Sequence, residues 1–311
     1  MILILSNRFD TSTTIVTEWL DFEKMNWIRI NEEDPVYIHF IGNDIKFEIK
    51  NNKSFLLSEI KSYWYRRGLF NLANFKLSTI KQFNSFQQFE TKKIIEFIMY
   101  KLDCLNKINS FNNSDVNKLI ISDKARKAGL KTPIDYLVSL KDSFQNLESY
   151  NNSLITKSVS GDCMQDFQNF TIYNYTKKIT IKDISSDIFF PSLVQNYIEK
   201  KYEIRSFFLN NEFYSMAILS QNSKQTEIDF RDYNKEKPNR TIPFKLPDYI
   251  ENKIKLLMDE LYLNSGSIDM IVTPQNDFVF LEVNPIGQFG MTSYPCNYNI
   301  EKLIAKTLKY D

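Results

Sequence analysis

Apolar positions in the first third of the chain fall into short strand-like runs and longer helical stretches. Residues 1–6 are typical of a buried strand, and Thr11–Lys24 has helical periodicity with Ile15, Trp19 and Phe22 on one stripe. This alternation favours a small open-sheet N-terminal domain. The remaining elements predicted here are a strand at 26–30, a hairpin over 36–50 around Gly42-Asn43-Asp44, a short strand at 62–68 that ends in Arg66 and Arg67, and a long helix at 83–105.

A polar, asparagine-rich segment at 109–118 is typical of a linker into a second region. Ser114 or Asp115 is expected to cap a helix that stops at Gly129. From residue 191 onward the pattern is antiparallel, with strands hinged at Asn210-Asn211. The other predicted elements are a strand at 134–138, a helix at 142–150, a strand within 153–162, a hairpin-like stretch at 170–181, and helices at 248–263 and 299–309.

Two acidic residues interrupt the apolar hairpin SIDMIVTPQNDFVFLEVNP at 267–285. If its turn centres between Gln275 and Asn276, Asp269 lies directly opposite Glu282, with Cβ atoms roughly 4.5–5.5 Å apart. Carboxylate and amide oxygens suit a hard cation such as Mg²⁺, and a cation would relieve the repulsion between the two acids. Strict alternation places Asp269, Glu282 and Asn284 on one face with Ile271, Phe278 and Phe280, and Ile268, Met270, Val272, Val279, Leu281 and Val283 on the other. The alternative is a solvated polar face at a strand end.

Lysines and arginines elsewhere in the chain are candidates for phosphate binding. Lys157 ends a strand just before a small polar loop, so its ammonium could reach phosphates, although most strand lysines are simply solvated. Lys118, at the start of the second region, has the same two interpretations. Arg231 and Arg240 lie in a charged loop, where a surface role is the alternative.

The segment LVQNYIEKKYEIR at 193–205 reads as a strand, an extended connector and a second strand. An extended connector offers backbone groups to the edge of an adenine. Glu203 and Arg205 share one face of the second strand, where the carboxylate could accept ribose hydroxyls and the guanidinium could hold a phosphate or carboxylate. An ordinary ion pair between these two residues is the alternative.

Composition excludes several classes of protein. The 311 residues carry 39 lysines and arginines against 38 acids, so no overall charge indicates nucleic acid or membrane binding. No apolar run is long enough for a membrane span, and the first residues lack the features of a signal peptide. Three scattered cysteines favour a reducing cytoplasm, and a single histidine, His39, argues against a histidine-dependent triad. Only seven glycines occur, and no dinucleotide-binding fingerprint is present.

The order of these features resembles the ATP-grasp superfamily. Within it, FLEVNPIGQFGM, SYWYRR and YIEKKYEIR resemble the ATP-grasp peptide maturases of the microviridin type, the graspetide synthetases, and most closely their grasp-with-spasm group. The resemblance covers essentially the whole chain and is most specific in its C-terminal third. It implies an α+β or α/β protein of the ATP-grasp fold in three parts. These would be an N-terminal domain at 1–113, a central lobe at 114–192 and a C-terminal lobe at 193–311, with ATP between the two lobes.

The resemblance also implies roles for residues at matching positions. Asp269, Glu282 and Asn284 would bind Mg²⁺, with Glu282 shared by two ions. The other implied contacts are Lys118 and Lys157 with phosphates, Gln195, Asn196, Tyr197 and Ile198 with adenine, Glu203 with ribose, and Arg205 and Arg231 with the γ-phosphate and acceptor carboxylate. Lys157, Arg205 and Arg231 would thus be the catalytic residues. Arg66 and Arg67 could face the substrate or tie two domains together.

By the same resemblance, the substrate would be a ribosomal precursor peptide with a leader segment. ATP would activate an Asp or Glu side chain of the peptide as an acyl phosphate, and a Ser, Thr or Lys side chain would then close an ester or amide ring. A SPASM-domain partner protein and a homodimer are implied only by analogy. Two alternatives remain: an ATP-grasp ligase that adds a free amino acid to a protein terminus or small acid, and a nucleotide-binding or scaffold protein without catalysis.

Overall fold

The computed structural model describes residues 1–49, 53–72, 78–115, 117–160, 164–167, 169–173, 176–221 and 238–310. Its strands are β1 (Ile2–Ser6), β2 (Trp27–Asn31), β3 (Pro35–Ile41), β4 (Asp44–Ile49), β5 (Lys53–Leu56), β6 (Ser62–Tyr65), β7 (Asn71–Leu72), β8 (Asn106–Ile108), β9 (Asp135–Leu140), β10 (Leu154–Lys157), β11 (Met164–Phe167), β12 (Phe170–Tyr173), β13 (Lys177–Ile179), β14 (Ile188–Asn196), β15 (Tyr202–Leu209), β16 (Glu212–Leu219), β17 (Arg240–Phe244), β18 (Ser265–Val272) and β19 (Phe278–Asn284). Its helices are α1 (Thr11–Phe22), α2 (Lys81–Leu102), α3 (Lys118–Lys127), α4 (Lys141–Tyr150), α5 (Asp248–Glu260), α6 (Gly290–Cys296) and α7 (Ile300–Leu308).

The chain divides into two compact units. The first consists of Met1–Ser114 with Gln288–Ser293 and Asn299–Asp311, and the second of Asp115–Gly287 with Tyr294–Tyr298. Among the described residues, none of the helices is long and apolar enough to cross a membrane. The predicted three-part division at 113 and 192 stays a prediction.

The first unit is built on a parallel sheet in the order β2-β1-β6-β8. Parallel neighbours need crossover connections, and α1 supplies the one between β1 and β2. A second sheet, β5-β4-β3-β7, contains the predicted hairpin with Gly42 at φ 60° in its turn. Leu3, Phe47 and Tyr63 are among the buried side chains of one continuous core. The expected open-sheet N-terminal region is therefore present.

The buried face of α1 differs from the predicted stripe. Thr13, Val16, Thr17 and Leu20 are buried, whereas Phe22 is 73% exposed. The two threonines can be buried because their hydroxyls donate hydrogen bonds nearby. Thr13 Oγ1 donates to the Asp10 carboxylate at 2.9 Å, and Thr17 Oγ1 donates to a backbone carbonyl one turn earlier at 2.7 Å. An apolar-only count along the sequence therefore pointed to the wrong stripe.

Helix α7 completes the first unit from the far end of the chain. It packs against α1, and its side chains Ile300, Ile304 and Leu308 are at most 1% exposed. The Ser62 hydroxyl of β6 donates to the Leu308 carbonyl at 2.6 Å. The first unit therefore combines the N-terminal region with segments from the C-terminal part of the chain.

The second unit contains two larger antiparallel sheets. One has the order β13-β10-β14-β9, and the other has the order β17-β16-β15-β18-β19. The connector Tyr197–Lys201 joins β14 of the first sheet to β15 of the second. Asn210 and Asn211 have φ 46° and 69°, the left-handed values that a two-residue hairpin turn needs, so the predicted hinge between β15 and β16 is confirmed.

Helix α3 starts later than predicted. Asn117, and not Ser114 or Asp115, is the N-cap, and its side-chain oxygen accepts hydrogen bonds from the backbone amides of Leu119 and Ile120 at 3.0 and 3.3 Å. Gly129 at φ 81° ends the helix as expected, because the backbone amides of Gly129 and Leu130 close the last turn. The predicted boundaries place α3 with the central lobe, but its apolar side packs into the core of the five-stranded sheet together with α5.

The hairpin-like stretch at 170–181 is not one hairpin. β12 pairs with β11 in a two-stranded sheet, whereas β13 pairs with β10 in the four-stranded sheet. Residue alternation identifies a strand but not its partner, which here is set by long-range packing.

Candidate active site

The predicted opposition of Asp269 and Glu282 is confirmed. On the turn side of this pair, Met270, Ile271 and Val272 of β18 lie on their predicted faces, but the predicted faces of the β19 residues are wrong. Asp269 lies across from Glu282, while the next residue, Met270, lies across from Phe280. Leu281 is therefore the extra residue of a β-bulge. A bulge shifts the alternation by one position, so the side chains beyond it exchange faces.

This bulge changes which side chains reach the cleft described below. Phe280 is fully buried in the core with Met270, and Phe278 packs against the same core. Leu281 and Glu282, although adjacent in sequence, both line the cleft. The bulge thus turns Phe278 and Phe280 toward the core and leaves the Glu282 carboxylate aimed away from it.

Each of the two opposed carboxylates contacts a cationic side chain. Arg205 Nη1 lies 3.1 Å from both oxygens of Asp269, and Lys118 Nζ lies 3.0 Å from Glu282 Oε2. The four side chains are 10% to 19% exposed, so these are largely desolvated contacts. Repulsion between the two acids is offset by these two protein cations, one on each carboxylate.

Asn284 lies two residues beyond Glu282 at the end of β19. It pairs with Ser267 in the ladder, and its side-chain oxygen accepts a hydrogen bond from the Ile286 amide at 3.0 Å. The residue is exposed. Its predicted part in metal binding stays a prediction.

The donor atoms at this place fit a hard cation. Two carboxylates and one amide provide oxygen ligands only, which Mg²⁺ prefers, and Mg²⁺ usually completes its shell with water and substrate phosphates. Within the part of the chain that the structure describes, no group of three or more His, Cys, Asp or Glu side chains could hold a metal ion by itself. A cation here would therefore need ligands beyond the two carboxylates.

A cleft of about 780 Å³, its open mouth included, lies between the two large sheets of the second unit. Eight of the predicted site residues line it: Lys157, Gln195, Asn196, Tyr197, Ile198, Glu203, Asp269 and Glu282. Residues that were not predicted also line it: Pro133, Ile155, Thr176, Lys200, Ile204, Met270, Ile271 and Leu281.

Lys157 is the last residue of β10 and lies across from Leu193 of β14. Ile155, two positions earlier, also lines the cleft, as the period of two along a strand requires. The ammonium of Lys157 therefore belongs to the cleft side of the sheet.

The residues predicted to bind adenine lie at the end of β14 and in the connector, and their contacts differ. Gln195 is 2% exposed, and its side-chain amide donates to Asp135 Oδ1 at 2.5 Å. Asn196, on the other face of β14, accepts a hydrogen bond from the Ile134 amide at 2.6 Å. The Tyr197 amide donates to the Ser153 carbonyl, and the ammonium of Lys178 lies 4.3 Å from the Tyr197 ring centre.

Lys200 is the main site residue that the sequence analysis missed. Its ammonium makes a very close contact with Glu203 Oε1, and its side chain is only 1% exposed. A buried lysine within a charged run Glu-Lys-Lys looks like a solvated turn in sequence, so no local signal separates Lys200 from Lys201. Glu203 and Arg205, offered as a possible ion pair, each contact another partner, Lys200 and Asp269 respectively.

Of three further predicted arginines, the structure describes two, and both lie outside the cleft. Arg231 falls outside the described residues, and Arg240 begins β17 and is exposed. Arg66 belongs to the first unit, where its Nε donates to Asp10 Oδ2 at 2.8 Å and its guanidinium lies 5.4 Å from the Phe289 ring centre. Burial lowers the pKa of Arg66 to about 10, partly offset by the Asp10 charge. Arg66 thus ties the end of β6 to the start of α1.

Solved structures with this architecture are numerous, although no protein-family model and no curated protein matches the chain. Macrocyclase MdnC of Microcystis aeruginosa MRC, bound with its precursor peptide MdnA, is 22% identical with a TM-score of 0.80, and 99% of each chain is covered. A RiPP-associated ATP-grasp ligase of Chryseobacterium gregarium, in complex with ADP and a leader and core peptide, is 23% identical with a TM-score of 0.80, covering 99% of this chain and 94% of that one.

The ATP-grasp ligase PsnB, complexed with minimal precursor, Mg and ADP, is 13% identical with a TM-score of 0.74, covering 99% of this chain and 96% of that one. Similarity over nearly the whole length of all three proteins identifies the fold. The chain has the ATP-grasp fold, as the sequence predicted.

Proposed function

We propose that this protein is an ATP-dependent ligase that closes rings between side chains of a ribosomal precursor peptide. The observation that carries the proposal is the cleft itself. Lys157, Glu203 and the opposed pair Asp269 and Glu282 line one cleft between two sheets, in a fold that aligns end to end with enzymes bound to precursor peptides. ADP and Mg accompany the peptide in related complexes, which supports ATP and Mg²⁺ as the nucleotide and metal here.

Asp269, Glu282 and Asn284 would hold two Mg²⁺ ions, with Glu282 shared between them. Bound Mg²⁺ neutralises the charge on the phosphates and on the transferring phosphoryl group. Lys157 and Lys118 would bind phosphates, because Lys157 lines the cleft and the ammonium of Lys118 contacts the Glu282 carboxylate. Glu203 would accept the ribose hydroxyls, and Gln195 to Ile198 would contact the adenine.

The proposed reaction has two steps. A side-chain carboxylate oxygen of the peptide attacks the γ-phosphorus of ATP, which releases ADP and leaves an acyl phosphate. A hydroxyl or amine of the same peptide then attacks the acyl carbon, loses its proton and expels phosphate, so the peptide loses one water for each ring. Arg205 and Arg231 would orient the acceptor carboxylate. Holding both side chains of one peptide together supplies a large effective concentration.

The test is mass spectrometry of a candidate precursor, a peptide rich in Thr or Ser and in Asp or Glu, incubated with the protein, ATP and Mg²⁺. Loss of one water per ring, coupled to ADP formation and absent with Asp269→Ala, is the expected result. ADP formation with a gain in mass, when free amino acids are supplied, would assign the protein to the amino-acid ligases instead. No ADP formation with either substrate would overturn both assignments.

We also propose that the protein forms homodimers through the outer face of α2. This face carries Phe83, Phe86 and Phe97, which are 49%, 58% and 41% exposed, and Phe97 stacks on Phe40 of β3 at 6.1 Å between ring centres. Aromatic faces of this kind are typical of protein interfaces. Light scattering should give a dimer that Phe86→Ser converts to a monomer, and a monomeric wild type would overturn the proposal. The SPASM-domain partner stays a prediction.

A further inference from the structure

The orientation of one amide in the cleft is fixed by a neighbouring carboxylate. Gln195 of β14 pairs directly with Asp135 of β9, and both side chains lie on the same side of the sheet as Ile155, which lines the cleft. Gln195 Nε2 donates to Asp135 Oδ1 at 2.5 Å. Because an ionised carboxylate can only accept hydrogen bonds, the amide nitrogen must face Asp135 and the amide oxygen must face away.

The other atom of this amide, Gln195 Oε1, is not used in any hydrogen bond within the described part of the protein. Gln195 is 2% exposed, and its Oε1 is buried without a hydrogen-bond partner among the described residues. Buried acceptors are nearly always satisfied, and an unsatisfied one is costly. Since Gln195 lines the cleft, a donor on a bound ligand would satisfy this oxygen.

The Asp135 carboxylate is also contacted by a side chain of α3, the helix that packs against the five-stranded sheet. Arg126 Nη1 of α3 lies 3.1 Å from Asp135 Oδ2 and 3.2 Å from the Thr132 hydroxyl. The Asp135 side chain is 10% exposed. Arg126 keeps one carboxylate oxygen occupied, so the other stays directed at Gln195.

We propose that Asp135, positioned by Arg126, makes this cleft selective for a purine that carries an amine at its 6-position. Gln195 Oε1 accepts a hydrogen bond from the 6-amine of adenine. A 6-oxo purine, such as hypoxanthine or guanine, places a second acceptor against Oε1 and leaves both unsatisfied. Asp135 and Arg126 act through Gln195 and are therefore positioning residues. The inference rests on the proposed ATP site and adds the residues that decide which nucleotide enters it.

The test is calorimetric binding of ADP, inosine diphosphate and purine riboside diphosphate to the full chain, all with Mg²⁺. Inosine differs from adenosine at the 6-position without the 2-amine of guanosine, and purine riboside has only hydrogen there. The wild type should bind ADP at least about 10²-fold more tightly than inosine diphosphate, with purine riboside diphosphate between them.

Asp135→Asn should collapse this ratio to within about threefold of unity. An asparagine amide can donate as well as accept, so Gln195 can turn its NH₂ toward the base. Binding of ADP then weakens while binding of inosine diphosphate strengthens. Arg126→Met should lower the ratio partway. Gln195→Met has no amide, so it should weaken the binding of ADP but not that of inosine diphosphate. This variant tests the inference independently if the melting temperature shows that Asp135→Asn does not fold.

A failure of this inference can be distinguished from a failure of the proposed function. If Asp135→Asn weakens both nucleotides equally and keeps the wild-type ratio, Asp135 is only structural and the inference is wrong. A wild-type ratio near unity also overturns it, with ATP binding intact. If neither nucleotide binds the wild type and no ADP forms with any peptide, the ATP site itself fails. Asp277→Asn, in an exposed turn of the same unit, should leave the ratio unchanged.

Discussion

At the residue scale, the charge of Glu282 gives a direct test of the proposed metal site. Glu282→Gln keeps the shape of the side chain but removes the charge opposite Asp269 and the contact with Lys118. Electrostatic groups at such sites contribute about 10²-fold or more to rates. We expect ADP formation in the presence of peptide to fall by at least that factor, and the Mg²⁺ concentration for half-maximal rate to rise.

Asp277→Asn is the matched control for this prediction. Asp277 lies at the turn of the same hairpin, where its half-exposed carboxylate contacts Lys131 at 2.7 Å. Exposed pairs contribute little, at most about 1 kcal/mol. Equal loss of rate in both variants would mean that Glu282 acts through hairpin stability, and the assignment of a metal-binding role would be wrong.

Arg66 offers a stability prediction at the same scale. Arg66→Met leaves the Asp10 carboxylate, 7% exposed, without its cation. Removing one partner of a buried pair costs about 3–5 kcal/mol, because the other charge stays buried. Urea unfolding should report this loss, and adding Asp10→Asn should recover part of it. Arg8→Met breaks a pair with Asp34 at 3.5 Å whose arginine is 62% exposed, so it should cost less than about 1 kcal/mol.

The predicted pairing of Asp269 with Glu282 is correct because two errors cancel. Val272 lies opposite Phe278, so the turn centres on Gln275 and not between Gln275 and Asn276, and the bulge at Leu281 restores the predicted pair. The contact of Arg205 with Asp269 joins two strands 64 residues apart, so no local pattern contains it. Lys200 is buried although its neighbours in sequence give no sign of it.

At the scale of elements, the start of α3 links folding to the cleft. Asn117 caps the first turn, and Lys118, which contacts Glu282, is the first helical residue. Asn117→Ala should lower the free energy of unfolding by about 1 kcal/mol and weaken ADP binding, because the frayed turn releases Lys118. Denaturant titration and calorimetry measure the two effects.

Asn117→Ser separates capping from other roles of this side chain. Serine is a good N-cap, so stability and binding should both return close to wild-type values. If Asn117→Ala loses stability while nucleotide binding is unchanged, α3 does not position Lys118 for the nucleotide.

The sequence predicted the positions of helices and strands better than it predicted their caps and bulges. The periodicity located the long helix α2 and the hairpin of β18 and β19, since both patterns are local. The bulge at Leu281 was missed because an extra residue leaves the apolar content of the strand unchanged while exchanging its faces. The polar run before α3 offered several capping residues, and only the backbone geometry selects Asn117.

At the scale of the whole molecule, the partners of strands and the path of the chain are the parts that sequence reasoning could not supply. The stretch at 170–181 divides between two sheets, and the last helix returns to the first unit. Both depend on contacts between residues far apart in sequence. The resemblance in the C-terminal third identified the ATP-grasp fold, whereas periodicity alone reached only alternating strands and helices.

The return of α7 gives a prediction for the whole chain. Deleting residues 299–311 removes three fully buried side chains, Ile300, Ile304 and Leu308, from the first unit. At about 1.5–3 kcal/mol each, their loss is about 5–9 kcal/mol, which matches the entire stability of many domains. Hydrogen exchange should therefore show loss of protection in β1 and β6. Deleting only residues 309–311 removes one half-exposed lysine contact with Glu23 and should leave exchange unchanged. Full protection of β1 and β6 without α7 would mean that the first unit folds from residues 1–114 alone.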